Sequence, residues 1–196
     1  MSEASSPARI WTIGHSTRSA DAFVALLRHH GIEAVADIRR FPGSRRLPQF
    51  MTATLEATLQ DAGIAYRWIE ALGGRRRAPP EPSDSAWRNS SFRGYAEHLG
   101  SDEFAAGLQQ LLPLAAQRPT AMMCAEVLWW RCHRALVSDV LKLRGIEVLH
   151  IQDERHVTLH PFTSPARLDQ GCLSYREGVG TPLKDAAISR KPALED

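Results

Sequence analysis

Two cysteines, a histidine and two arginines stand together in one short segment of the chain. The segment runs from Cys124 to Arg134 and includes Arg131, Cys132 and His133. A thiol beside arginines and a helix N-terminus has a lowered pKa, and its thiolate is a nucleophile. Free cysteine is also among the residue types most often buried, so core packing is the alternative. We expect Cys124 to be the reactive thiol of a cysteine-dependent hydrolase or transferase, or else a packed core residue.

The same segment offers metal binding as a second chemistry. Cys124, Cys132 and His133 are all residue types that bind zinc, and His15 is a candidate fourth ligand. The spacing matches no standard zinc motif, and neighbouring residues at a helix start diverge by roughly 100° around its axis. We therefore predict no cofactor, and we keep a zinc site at Cys124, Cys132 and His133, in a metal-dependent hydrolase, as the alternative.

The sequence around this segment predicts alternating strands and helices. Thr120–Met123 is an apolar run typical of a buried strand, and the apolar residues that follow Arg134 indicate a helix. Glycine followed by isoleucine at 31–32, 63–64 and 145–146 marks three joints between a helix and a strand. Such repeated units form parallel sheets with right-handed crossovers. We predict a Rossmann-like, three-layer α/β/α fold with a mostly parallel sheet of about five strands.

Polar residues gather at the carboxyl ends of the predicted strands. In a parallel sheet these ends meet at one edge, where α/β proteins usually bind ligands. The candidate catalytic residues are Cys124, His15, His133, Glu126 and Asp37. The two histidines are candidate acid/base partners of the thiol. The two acidic residues are either acid/base groups or ion-pair partners of nearby arginines.

Basic loops and glycines follow the same strand ends and indicate an anionic substrate. Arginine binds phosphate and carboxylate groups bidentately. The residues expected to bind the anion or substrate are Ser16, Arg39, Ser44, Arg45, Gly73, Gly74, Arg75, Arg131 and Arg134. The net charge of the chain is only +2, so its overall field does not attract nucleic acid. We expect a small anionic or nucleotide-like ligand, with nucleic acid as the alternative partner.

Length and composition set the organisation of the chain. Its 196 residues suffice for one domain. We predict a flexible N-terminus at 1–9, a single α/β domain at 10–163 and a loosely ordered tail at 164–196, where apolar periodicity is lost. No segment approaches the roughly 18 apolar residues of a membrane span, and the cysteines are too few for a disulfide scaffold. We expect a cytoplasmic protein with no membrane partner, and its oligomeric state stays open.

Six motifs, in order, resemble the bacterial family called domain of unknown function 488. They are Thr12–Ser16, Asp37–Arg39 with Pro42 and Ser44, Pro48–Phe50, Leu72–Gly74, Met123–Glu126 and Cys132–Arg134. Ile38 stands where the family pattern has valine, a change that preserves the apolar character. The resemblance covers about residues 10–160. It implies a cytoplasmic α/β domain and assigns no reaction.

Two functional hypotheses follow. The leading one is an enzyme that acts on a phosphorylated or nucleotide-like substrate, with Cys124 as the thiol and Arg39 and Arg134 as the anion clamp. The competing one is a nucleic-acid-binding module without catalysis. Basic clusters that converge on a pocket favour the enzyme, whereas clusters spread over one face favour the binding module.

Overall fold

A computed structural model describes residues 8–43, 46–78 and 85–183 of the chain. Its main sheet has six strands in the order β3-β2-β4-β1-β5-β6. The strands are β1 (Arg9–Gly14), β2 (Ala34–Asp37), β3 (Ala65–Trp68), β4 (Thr120–Cys124), β5 (Glu147–Ile151) and β6 (Val157–Leu159). All neighbours pair in parallel except β6, which is antiparallel to β5. The prediction of a mostly parallel sheet is confirmed, with one strand more than expected.

Five α-helices connect and cover the strands in the described ranges. They are α1 (Ala20–His29), α2 (Thr52–Asp61), α3 (Ser90–His98), α4 (Asp102–Gln117) and α5 (Arg134–Leu143). Side-chain caps fix where three of them begin, because the side chains of Ser19, Asn89 and Ser101 each accept a backbone N–H of the first turn. Among the described residues, no helix is both long and apolar enough to cross a membrane.

The sheet separates two apolar cores, which gives the three layers. Side chains alternate along β4, so Met122 and Met123 are both fully buried but belong to opposite cores. The core on the Met123 side is filled by α1 and α2, for example by Phe23 and Leu55. The core on the Met122 side is filled by α4 and α5, for example by Leu111. The three-layer α/β/α prediction is therefore confirmed.

The strand order creates a crevice at the carboxyl end of β4. The chain leaves β1 and β2 towards α1 and α2 on one face, whereas it leaves β4 towards α5 on the other face. Strand β4 lies between β1 and β2. The loops after β1 and β2 therefore turn to one face of the sheet, and the loop after β4 turns to the other. Such a switch point is where open α/β sheets bind ligands.

A second, smaller sheet lies in the C-terminal part. Strands β7 (Arg167–Asp169), β8 (Cys172–Ser174) and β9 (Thr181–Pro182) pair antiparallel. Tyr175 and Leu183 are buried against the core that contains α5. These strands lie in the segment where apolar periodicity is lost, because strands of two or three residues leave no readable periodicity. Residues 184–196, like residues 1–7, lie outside the described ranges.

Candidate functional site

Backbone hydrogen bonds draw the loops after β1, β2 and β4 together. The N–H of His15 donates to the carbonyl of Cys124 at 2.9 Å, and the N–H of Ile38 donates to the carbonyl of Met123 at 3.0 Å. The N–H of Ser16, whose φ is +50°, donates to the carbonyl of Ala125 at 2.9 Å. These bonds bring residues that are distant in sequence to one edge of the sheet.

Two sulfurs and an imidazole meet at this edge. The ligand atoms of Cys124, Cys132 and His133 all lie within 4.8 Å of one another. Cys124 is partly exposed at the end of β4, whereas Cys132 is buried. Cys132 has an extended backbone, φ −126° and ψ 148°, and α5 begins only at Arg134. The expected divergence of Cys132 and His133 around a helix axis is therefore wrong.

His133 is held in one orientation between a carbonyl and a sulfur. Its Nε2 lies 3.0 Å from the carbonyl oxygen of Ile38, and its Nδ1 lies 3.5 Å from Cys132 Sγ. A carbonyl oxygen only accepts, so Nε2 carries a hydrogen and Nδ1 faces the sulfur. A Cβ on Gly74 would lie 2.6 Å from this Nδ1, so the position requires glycine.

Arg134 is a fully buried cation that contacts Cys132. Its Nε donates to Cys132 Sγ at 3.4 Å, and its Nη2 donates to the carbonyls of Glu126 and Val127. No carboxylate among the described residues forms an ion pair with it. A buried charge without a counter-charge is strongly unfavourable, so the sulfur of Cys132 is the group placed to neutralise it as a thiolate.

The two thiols are shifted in opposite directions. The hydrogen bond with Cys132, followed by burial, raises the pKa of Cys124 well above its usual value. Burial alone would raise the pKa of Cys132, but the hydrogen bond from Cys124 and the charges of His133 and Arg134 lower it well below its usual value. The more acidic of the two thiols is therefore Cys132, whereas the sequence favoured Cys124.

Asp37 and Arg39 form a closed ion pair beside this centre. Asp37 is fully buried and accepts from Arg39 Nε at 2.9 Å and from Arg39 Nη2 at 2.5 Å. The hydroxyl of Tyr66 donates to the same carboxylate at 2.8 Å. Arg39 itself is 6% exposed. These contacts fit the ion-pair alternative for Asp37 better than the acid/base role.

His15 has no free ring nitrogen in this arrangement. Its Nδ1 contacts the carbonyl of Ser16 at 2.8 Å, and its Nε2 accepts from Arg39 Nη1 at 3.2 Å. Its ring stacks on Phe50 with centroids 4.0 Å apart. Burial, chiefly, lowers the pKa of His15 to about 4, so the ring is neutral at pH 7. His15 therefore supports Arg39 rather than facing Cys124 as a base.

The remaining expected site residues lie around the centre. Arg75, Glu126 and Arg131 are exposed, and the Glu126 carboxylate accepts the N–H of Leu128 at 3.1 Å. Gly73 is packed so closely that a Cβ would lie 2.7 Å from the Cα of Arg40, which joins the loops after β2 and β3. Ser44 and Arg45 lie outside the described residues.

Sequence reasoning missed a buried hydrogen-bond chain that starts at Arg134. Arg134 Nη1 donates to Thr12 Oγ1 at 3.4 Å, and Thr12 Oγ1 lies 2.7 Å from His150 Nδ1. His150 Nε2 lies 2.8 Å from His160 Nδ1, and His160 Nε2 lies 3.0 Å from Asp139 Oδ1. The chain thus connects a buried cation to a buried carboxylate through two imidazoles.

Asp139 ends this chain and gathers further donors. It accepts from the N–H of Thr163 at 2.9 Å, from its hydroxyl at 2.5 Å and from the hydroxyl of Tyr175 at 2.8 Å. The sequence did carry a signal, because Asp139 follows Ala135 by four residues and Leu136 by three and so lies on the apolar face of α5. A carboxylate on an apolar helix face requires buried partners.

The fold and the site define an α/β protein with a cysteine–histidine centre at a topological switch point. Residues 19–141, more than half of the chain, match the family described as domain of unknown function DUF488, and the chain belongs to this family. The resemblance noted in the sequence is thereby confirmed. No curated protein and no solved structure matches the chain.

Proposed function

We propose that the protein is an enzyme that hydrolyses or transfers a phosphorylated or nucleotide-like group, with Cys124 as the nucleophile. The observation that carries this proposal is the proximity of two thiols that differ in burial and in the direction of their pKa shifts. The Cys124 sulfur lies within 4.8 Å of the sulfur of Cys132, which is buried beside the Arg134 cation. Cys124 is the less buried of the two residues, and the sulfur of Cys132 is close enough to take its proton.

The reaction then proceeds in two steps, formation of a Cys124 adduct and its hydrolysis by water. As the Cys124 sulfur donates an electron pair to the phosphorus or carbon atom of the substrate, its proton passes to the Cys132 thiolate, because the forming bond makes the Cys124 S–H acidic. The bond to the leaving oxygen breaks, and that oxygen keeps the electron pair and receives the proton from Cys132. Water next attacks the Cys124 adduct, its hydroxyl leaves with the substrate group, and its proton restores the Cys124 thiol.

The structure changes which arginines fit the anion. Arg39 and Arg134, the expected clamp, are buried and donate mainly to protein groups. Arg40 is half-buried and Arg75 and Arg131 are exposed on loops of the same edge. We therefore assign anion binding to these three residues, which combine charge with access.

Exposed aromatic side chains near these arginines support a nucleotide-like substrate. Phe41 is 61% exposed, Trp130 is 47% exposed and Trp68 is 40% exposed. The indole N–H of Trp68 donates to the carbonyl of Arg39 at 2.8 Å, so this ring lies beside the loop after β2. Nucleobases stack on such rings irrespective of sequence.

Ligand binding and thiol protection test this proposal together. Calorimetric titration with inorganic phosphate and with mononucleotides should show one site, and Arg40→Ala should weaken binding about tenfold, the effect of one charge-assisted contact. The control is Arg118→Ala, because Arg118 is an exposed arginine that precedes β4 at the opposite edge of the sheet. The bound nucleotide should also slow alkylation of Cys124, and Cys124→Ser should abolish its turnover. Absence of phosphate and nucleotide binding at low salt would refute the proposal.

A nucleic-acid-binding module is the second candidate, favoured by the same exposed rings and arginines. It predicts that log affinity for a single-stranded oligonucleotide falls steeply with log salt, and that each phosphate-contacting arginine changed to alanine reduces this slope by about one. A mononucleotide pocket predicts a shallow slope. Steep salt dependence with no turnover would favour the module over the enzyme.

A further inference from the structure

We infer that Cys124, Cys132 and His133 form a binding site for one thiophilic divalent ion, for which Zn²⁺ is the natural candidate. This inference goes beyond the proposed function, because ion binding requires no reaction at Cys124. A bound ion would occupy the sulfur that the proposed reaction uses, so zinc would act on that reaction as an inhibitor.

The spacing of the three ligand atoms fits tetrahedral zinc. Zinc lies about 2.3 Å from sulfur and about 2.0 Å from nitrogen, so a tetrahedral sulfur and nitrogen are roughly 3.5 Å apart. Cys132 Sγ and His133 Nδ1 are 3.5 Å apart, and Cys124 Sγ completes a triangle with no side above 4.8 Å. One of the three separations thus already has the value that a tetrahedral ion requires.

His133 already has the hydrogen-bond partner that metal-binding histidines use. A ligating histidine almost always donates its other ring N–H to a carbonyl or carboxylate, which fixes the tautomer and the ring plane. His133 Nε2 donates to the carbonyl of Ile38 at 3.0 Å, which leaves Nδ1 for the ion. The accepting carbonyl of Ile38 follows β2, so the end of this strand orients the ligand.

Gly74 keeps the space beside this nitrogen open. A Cβ at position 74 would lie 2.6 Å from His133 Nδ1 and 3.0 Å from Cγ of the ring. The φ of Gly74 is not in the left-handed region, so the backbone conformation does not demand glycine here. Room beside the histidine is therefore the reason for glycine at this position.

The donor set also indicates which ion binds and how it is left coordinated. Two thiolates and an imidazole select zinc over the oxygen-preferring ions magnesium and calcium. Two thiolates neutralise a divalent charge, and Arg134 Nε stabilises one of them from behind. In the described part of the chain His15 has both ring nitrogens occupied, which leaves three protein ligands. Three protein ligands and an open fourth position are typical of zinc sites that bind water or a substrate, in contrast to closed structural sites.

Metal titration of the reduced full-length protein tests the inference. Equilibrium dialysis against Zn²⁺ should give one ion per chain. Co²⁺ as a spectroscopic probe should give sulfur-to-cobalt charge-transfer absorption, which imidazole or carboxylate ligands alone do not produce. Cys124→Ser and Cys132→Ser should each weaken binding at least 100-fold, beyond the 10- to 100-fold typical of an outer-shell change. Cys172→Ser, which alters an exposed cysteine, should leave binding unchanged.

A glycine pair keeps the test valid if Cys132→Ser fails to fold. Gly74→Ala retains all three ligands but fills the space at Nδ1, so it should weaken Zn²⁺ binding. Gly100→Ala, where the nearest atom to a Cβ is 3.8 Å away, should not. Equal affinity in both glycine variants, or Zn²⁺ binding that survives Cys124→Ser, would overturn the inference, as would no binding by the reduced protein. Phosphate binding without zinc binding would contradict the ion site alone, and zinc binding without phosphate binding would contradict the proposed function alone.

Discussion

Two buried arginines flank the thiols, and they are neutralised in different ways. Arg39 is paired directly with Asp37 through its Nε and Nη2 atoms. Arg134 is connected to the buried carboxylate of Asp139 only through three intervening side chains. Because Asp37 neutralises Arg39 directly, this arginine has little net charge left to act on neighbouring groups. The indirect connection leaves the Arg134 guanidinium facing the sulfur of Cys132, so only Arg134 stabilises a thiolate by direct contact.

The hydrogen-bond chain from Arg134 to Asp139 also has a fixed direction. Asp139 can only accept, so His160 Nε2 donates to it. Burial lowers the pKa of both histidines, so each ring is neutral with a single hydrogen. His160 Nδ1 therefore accepts from His150 Nε2, and His150 Nδ1 accepts from Thr12 Oγ1, which itself accepts from Arg134. The chain holds cation and anion apart while satisfying every buried ring nitrogen.

The largest expected effect comes from removing the carboxylate at the end of this chain. Asp139→Ala should lower the free energy of unfolding by about 3–5 kcal/mol, because it leaves His160, Thr163 and Tyr175 without their buried acceptor. Denaturant unfolding measures the change.

The control for this variant is Asp61→Ala, because Asp61 is exposed at the end of α2. It should change the free energy of unfolding by no more than about 0.5 kcal/mol. Similar values for the two variants would contradict the buried hydrogen bonds to Asp139. The difference between the surroundings of Asp139 and those of Asp37 would then have no energetic basis.

The next effect is acid sensitivity from His150. Burial, then the charges of His160 and Arg134, lowers the pKa of His150 to about 2. The unfolded chain protonates this histidine near pH 6.5, whereas the folded protein does not. Its contribution to stability is therefore complete above pH 6.5 and is lost as the pH falls towards 2. Between pH 7 and pH 5 this single group should reduce the free energy of unfolding by about 2 kcal/mol.

Unfolding experiments at several pH values can isolate this contribution. His150→Gln keeps a donor and an acceptor but removes the titration, so its loss between pH 7 and pH 5 should be smaller by about 2 kcal/mol. His29→Gln, at an exposed position of α1, should follow the wild type. An unchanged pH dependence in His150→Gln would mean that the imidazole chain is not neutral.

The fold could be predicted because it depends on local patterns. The glycine–isoleucine joints are real, since Gly31, Gly63 and Gly145 all have positive φ just before the chain enters a strand. The convergence of His15, Asp37 and Cys124 followed from the rule that parallel strands end at one edge. The sequence could not show the order of strands, and with it the crevice beside β4.

The contacts within the site could not be predicted, because they depend on side-chain directions. Arg39 and Arg134 look alike in sequence as free anion-binding groups, yet both are buried by partners on other elements. Cys132 and His133 were placed on a helix, and one residue of extended backbone at Cys132 reverses that conclusion. The roles of His150 and His160 depend on register between β5 and β6, which no local pattern encodes.

The smallest expected effect is that of Tyr66→Phe beside Asp37, which we compare with Tyr175→Phe beside Asp139. Tyr175 donates to Asp139 and is 6% exposed, whereas Tyr66 donates to Asp37 at the same distance of 2.8 Å and is only partly buried. Tyr175→Phe should reduce the free energy of unfolding by about 1.5–3 kcal/mol, the value of a buried hydrogen bond to a charged group. Tyr66→Phe should cost about 1 kcal/mol or less, because water can reach the position and Arg39 still neutralises Asp37. Denaturant unfolding of both variants at pH 7 measures the difference. A larger loss of stability in Tyr66→Phe than in Tyr175→Phe would contradict this comparison. Asp37 would then depend on the Tyr66 hydroxyl more than Asp139 depends on Tyr175, and the Asp37–Arg39 pair would be less complete than its contacts indicate.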